Sequence, residues 1–221
     1  MQKRDPRYSL VLPPHGGYRK LKCFQVAELL YDVTVRFIDR YIASDSRTRD
    51  QMEQSARSGV RNIAEGSMLS ATTKKLEMNL TNVARASLDE LRGDYETFLK
   101  QRGLSLWPER DQRRMDLTKN RFQTADEVAR WVKAIWLKEM PAREPVPKKL
   151  ATARTPPTVE KQALAEISAN VAHALCVASI RLLDKLVNRQ ARSFESEGGF
   201  NERLYKVRTQ VRNGTWQKDR S

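Results

Sequence analysis

The chain has 221 residues, with 41 Lys and Arg against 27 Asp and Glu, a formal net charge of +14 and only 9 Gly and 9 Pro. That length accommodates a real core without disulfides, and low Gly and Pro with 31% charged residues speak against a turn-rich sheet protein. Two distant thiols, Cys23 and Cys176, exclude a disulfide framework or a four-cysteine zinc site, while the cationic surplus points to an anionic partner, most commonly nucleic acid.

Residues 1–17 read as a polar N-terminal arm, closed by Pro13-Pro14-His15-Gly16-Gly17. From Leu21 the apolar spacing turns helical through Phe24, Ala27, Tyr31, Val35, Ile38 and Tyr41, which predicts a first helix ending near Ala43. A second helix is expected from Arg47 to Ser67, along Met52, Ala56, Gly59, Val60 and Ile63. Gly59 beside Ala56 makes a thin patch that lets another helix approach. A third helix from Thr72 to Arg102 would bury Leu76, Leu80, Val83, Ala84, Leu91, Tyr95 and Phe98, with Gly103 as its stop.

A short element is expected at Pro108–Leu117. Thr124 with Glu127 then forms a capping box, opening a helix with Val128, Trp131, Val132, Ile135 and Trp136 on one face. Pro141, Pro145, Pro147, Pro156 and Pro157 mark residues 141–158 as a linker. A long helical pattern returns from Val159 to Glu197 through Leu164, Ile167, Val171, Leu175, Ala178, Leu182 and Val187. Gly198-Gly199 breaks it, and a last short helix carries Phe200, Leu204, Val207 and Val211. The expected organisation is therefore a bundle over 18–140, a linker, a helical suffix over 159–213 and a polar tail over 214–221, all-α throughout.

The stretch Asp50 to Gly66, ending Asn62-Ile63-Ala64-Glu65-Gly66, resembles the signature of the four-helix-bundle family. That family includes the proteins encoded by intervening sequences in 23S ribosomal RNA genes and the accessory variability proteins of diversity-generating retroelements. Tyr18-Arg19-Lys20-Leu21 and Ala86-Ser87-Leu88-Asp89-Glu90-Leu91 add to the resemblance, which covers about residues 18 to 140. Asn170 to Leu183 and Phe194 to Glu202 resemble a C-terminal suffix carried by one branch. The resemblance implies a bacterial protein with an antiparallel up-down four-helix bundle and a homo-oligomeric ring, a pentamer. It gives Asn62, Ala64, Glu65, Gly66, Ser87 and Glu90 the standing of motif residues. For the retroelement members it also implies nucleic acid and a reverse transcriptase as partners.

The cations divide into two groups. On the second helix, with Met52 at zero, Arg57 falls near about 140° and Arg61 near about 180°, away from the apolar stripe. Lys74 and Lys75 open the third helix, where the dipole disfavours positive charge. The denser group is C-terminal. Arg181, Lys185, Arg189 and Arg192 recur at helical spacing, followed by Arg203, Lys206, Arg208, Arg212, Lys218 and Arg220. Such a ridge serves electrostatic binding of RNA or DNA without strong sequence preference; equally, it is a solvated face. Trp216, in the polar tail, is the aromatic candidate for a contact.

Chemistry finds less support. Asn62, Glu65, Glu90 and Asp94 lack the Glu-x-x-His repeats of di-metal bundles and read as a polar network. His173 and Cys176, three apart, read as core residues, since a metal needs more ligands. No phosphate loop, nucleophile elbow or zinc-protease motif occurs. The expectation is a cytoplasmic, non-enzymatic protein with no cofactor, no metal and no membrane span. It would be an accessory to a larger nucleic-acid enzyme or, alternatively, a protein–protein scaffold.

Overall fold

In a computed structural model the described residues are 16–139 and 158–213, and their regular elements are all helices, without strands. A 3-10 turn at Tyr18–Lys20 leads into α1 (Lys22–Tyr41). Then follow α2 (Arg47–Leu69), α3 (Lys74–Gln101), α4 (Gln112–Asn120), α5 (Ala125–Glu139), α6 (Val159–Glu197) and α7 (Phe200–Arg212). The expected arm up to residue 15, most of the linker, and the tail with Trp216, Lys218 and Arg220 lie outside the described residues.

Local chemistry sets the helix ends. Gly103 stops α3 at φ +64°, and Gly198 stops α6 at φ +70°, left-handed angles that side chains resist. The Thr124 capping box forms: Glu127 N–H donates to Thr124 Oγ1 (3.3 Å), and Gln123 and Thr124 N–H donate to Glu127 Oε2 (2.7 and 3.2 Å). Thr158 Oγ1 accepts from Lys161 N–H at the start of α6 (3.2 Å).

The helices α1, α2, α3 and α6 pack in a closed ring, each against two others: α1 on α2, α2 on α3, α3 on α6 and α6 on α1. Pair registers give their directions. Gln190 meets Glu77, Asp184 meets Arg85 and His173 meets Glu96, so α6 runs antiparallel to α3. Ser58 meets Ser87 and Gly66 approaches Glu77, so α2 is antiparallel to α3 as well. Phe37 stacks edge-on against Tyr95 and Phe98, joining α1 to α3 across the middle.

The place beside α3 in this ring thus belongs to α6, while α5, expected as the fourth helix, packs on α6 and α1. The expected boundary at 141–158 does not separate two cores either. One hydrophobic cluster contains Leu30, Met52, Leu88 and Tyr95 together with Ile167, Val171 and Leu183. From Ala169 to Cys176 every residue of α6 is buried, because α1, α3, α4 and α5 all touch this helix. A helix enclosed all round is apolar all round. Within Val159–Arg212 a window accordingly reaches a mean hydropathy of 1.5, long and apolar enough to cross a membrane, against the expectation. Since 67% of that window is buried inside this molecule, its apolar residues are already covered by other helices.

Two expected stripes are corrected in part. On α1 the expected Phe24, Ala27 and Ile38 are buried, but Leu30, Val33 and Phe37 complete the buried line, with Tyr31 and Val35 half-buried at its flank. On α3, Leu76 and Val83 are 39% and 48% exposed, and the line continued back from Leu88 and Ala84 buries Thr81 and Glu77 instead. Hydrogen bonds make this tolerable: Gln190 Nε2 donates to Glu77 Oε1 and Thr81 Oγ1 (3.1 Å each), and Lys74 Nζ donates to Glu77 Oε2 (3.2 Å). The suffix behaves as two parts. α6 is core, whereas Phe194 is 42% exposed and Phe200, Leu204 and Val207 of α7 are half-buried outside the main cluster.

Candidate nucleic-acid interface

Three contacts fix the level of the helix ends. Gln190 of α6 sits against Glu77 in the first turn of α3. The Arg203 guanidinium of α7 donates to Ala71 O (2.9 Å) in the loop between α2 and α3. The positive charge of Arg189 reaches the Cys23 thiol at the start of α1, partly offsetting the upward push that burial gives it. The starts of α1 and α3 and the end of α6 therefore lie at one end of the molecule, with α7 attached there.

The charges that meet at this end are mostly positive. Arg19 and Lys20 come from the 3-10 turn before α1, Lys22 from the start of α1, Lys75 from α3, and Arg189 and Arg192 from α6; all six are exposed. Arg208, Lys206 and Arg212 extend the series on α7, also exposed. The acidic residues among them include Glu77, buried and paired to Lys74, and Glu65, Glu195 and Glu202, all three exposed. Long cationic side chains on four chain segments converge here without forming ion pairs that would neutralise them all, and such a field attracts a polyanion.

Two of the expected contacts, Lys74 and Arg203, also hold the fold together. Lys74 is half-buried and neutralises Glu77. Arg203 ties α7 down by donating to Gly198 O (3.3 Å) and Ala71 O, so it acts as a strut. Arg181 pairs with Glu109 (2.7 Å), both side chains well exposed, an interaction weak enough to exchange for a phosphate. Lys185 is exposed and continues the ridge toward Arg189 and Arg192. Arg57 and Arg61 are exposed on α2, as their azimuths require.

No family model, curated protein or solved structure matches this chain. The motif residues are thus understood from their own geometry. Asn62 Nδ2 donates to Ser58 O (2.9 Å) and Ser58 Oγ (3.0 Å), and Ser58 Oγ lies 3.0 Å from Ser87 Oγ, so this chain of contacts joins α2 to α3. Gly66 is buried where a methyl would stand 3.2 Å from Glu77 O, and Ala64 packs against the core. Glu65 and Glu90 are exposed. Glu90 adds to the burial that raises the Asp94 carboxyl above its ordinary range.

His173 and Cys176 are both core residues. His173 Nε2 meets Glu96 Oε1 (2.9 Å), and burial depresses its imidazole below the ordinary range even though Glu96 works the other way. Burial pushes the Cys176 thiol far above its usual value, which makes it a poor nucleophile. Sequence reasoning missed Arg19, Lys20 and Lys22 as part of the basic end. Their only signal was three cations in four residues before an apolar helix.

Proposed function

We propose that this protein binds the phosphate backbone of RNA or DNA, without strong sequence preference, through its basic end. The observation that carries the reading is the convergence of Arg19, Lys20, Lys22, Lys75, Arg189 and Arg192, exposed and drawn from three regions far apart in sequence: the entry to α1, the start of α3 and the end of α6. Phosphate contacts of this kind need density of charge rather than a base-reading motif. We further read the closed ring of α1, α2, α3 and α6 as an up-down four-helix bundle with α5 outside it. The resemblance to intervening-sequence and retroelement accessory proteins supports a homo-oligomer, a pentamer, that assists a larger nucleic-acid enzyme such as a reverse transcriptase. The free, buried thiols of Cys23 and Cys176 agree with a reducing, cytoplasmic setting. Our reading is non-enzymatic, with Asn62, Glu65, Ser87 and Glu90 as structural or surface residues.

Mobility shifts with random-sequence RNA and DNA at about 50 mM salt test the reading. Replacing Lys22, Lys75, Arg189 and Arg192 together with Gln should weaken binding to every sequence alike. The Arg57→Gln, Arg61→Gln double variant should do less, because those two arginines lie on the outer face of α2. Absence of any shift with the wild-type chain would hand the basic surface to an acidic protein partner, as in the scaffold reading.

A further inference from the structure

At the other end of the helices, α1, α5 and α6 leave a cleft of about 790 Å³ between them. The apolar side chains beneath it are Val33 and Phe37 of α1, Val128 and Val132 of α5, and Leu164 and Val171 of α6, all but Leu164 buried, so that the floor is formed by Leu164 and the outer edges of Val33 and Val132. Its lip is charged. Arg36 and Arg40 rise from α1 and Arg130 and Lys133 from α5, against Asp39 and Glu160. Several of these charges are already answered. Arg36 pairs with Asp126, Asp39 pairs with Arg49, and Arg130 stands in the field of Asp126 and Glu127, whose carboxyls it helps to hold low. Arg40 and Lys133 are exposed on facing helices and have no ion-pair partner among the described residues.

The size of the cleft falls within the range of about 300–1,000 Å³ that small molecules occupy, and an apolar floor disfavours an ion such as free phosphate. The two unanswered cations at the lip call for negative charge at one end of whatever lies on that floor. We propose that this cleft binds a small anionic amphiphile, a medium-length acyl chain with a carboxylate head. The chain lies against Leu164 and the outer edges of Val33 and Val132, and the carboxylate sits between Arg40 and Lys133. The site is separate from the basic end and does not depend on what binds there.

Calorimetric titration of the full chain with decanoate below its micellar concentration tests this, with decan-1-ol as the neutral counterpart. Decanoate should bind saturably at one site per chain, and decan-1-ol much more weakly. Arg40→Gln with Lys133→Gln should weaken decanoate binding about tenfold or more, the size expected when charge-assisted hydrogen bonds are removed. Ala129→Trp, an exposed position lining the cleft, should fill it and remove binding while leaving the melting temperature near wild type. Arg189→Gln with Arg192→Gln should leave decanoate binding unchanged. The proposal is overturned if wild-type protein shows no saturable binding, or if decan-1-ol binds as tightly as decanoate. It is overturned equally if the Arg189, Arg192 variant is weakened as much as the cleft variant, since that would mean adsorption at the basic end.

Discussion

A methyl group built on Gly59 would collide with Leu88 Cδ2 and stand 2.8 Å from Leu88 Cγ, and Leu88 is itself fully buried. The leucine has little room to retreat, so Gly59→Leu should cost about 1–3 kcal/mol through overpacking. An unchanged melting temperature would contradict the close approach of α2 and α3. This position was legible in sequence, as a glycine beside Ala56 on an apolar line. Asn170 was not. Its Nδ2 donates to Ser105 O (2.8 Å) and its Oδ1 accepts from Trp107 N–H (2.6 Å), anchoring the segment after α3 to α6 across 65 and 63 residues of chain. No local pattern encodes such a long-range pairing. His173 supplies a pH signature. Burial holds its pKa below the ordinary imidazole value of 6.5, so as pH falls through that value the unfolded chain takes a proton that the folded chain resists. Stability should therefore decline on acidification from about pH 7 toward 5, and His173→Gln should flatten that decline. Denaturant titrations across this range would check it; an unaltered slope would mean that His173 titrates as in the unfolded chain.

At the scale of elements, periodicity and punctuation placed the helices well. α6 begins at Val159 and ends at Glu197 where the pattern starts and Gly198 stops it, and α2 and α3 lie within a few residues of their expected bounds. Periodicity does not say which stripe meets which. Val128, Val132 and Ile135 make α5 as plausible a neighbour for α3 as Ile167, Val171 and Leu175 make α6. The proline-rich stretch between them suggested a boundary, yet the core runs through both sides of it. The α3 stripe holds at Ala84, Leu91, Tyr95 and Phe98 and fails only at its start, for a related reason: Leu76 and Val83 are apolar, but the helix phase set by Leu88, Leu91 and Tyr95 turns Glu77 and Thr81 inward, where Gln190 meets them. A consequence follows for truncation. A chain ending at Glu139 would leave the inner faces of α1 and α3 without α6, exposing Leu30, Phe37 and Leu91. Such a fragment should lose its cooperative thermal transition and aggregate. A soluble fragment with a wild-type melt would show that α6 is dispensable.

For the whole molecule, the net charge of +14 was plain in composition, but its placement was not. The ridge of Lys185, Arg189 and Arg192 could be read from spacing, whereas its meeting with Arg19, Lys20 and Lys22 depends on how α1 and α6 align. Arg203 and Lys74 looked the same in sequence as their neighbours, and only their partners, Ala71 O and Glu77, set them apart as structural. The basic end and the cleft of α1, α5 and α6 lie at opposite ends of the helices, so variants at one should leave the other's ligand binding intact. The most direct test of the nucleic-acid reading is the salt dependence of affinity for random-sequence duplex and single-stranded nucleic acid. A phosphate-binding surface gives a straight line in log affinity against log salt, with a slope of roughly −0.9 per neutralised phosphate for duplex and roughly −0.7 for single strands. Wild-type protein should show a steep line, and replacing Lys22, Lys75, Arg189 and Arg192 with Gln should flatten it by about that amount for each phosphate left without its cation. A slope near zero for wild-type protein, or one that the four replacements leave unchanged, would contradict the assignment of the basic end.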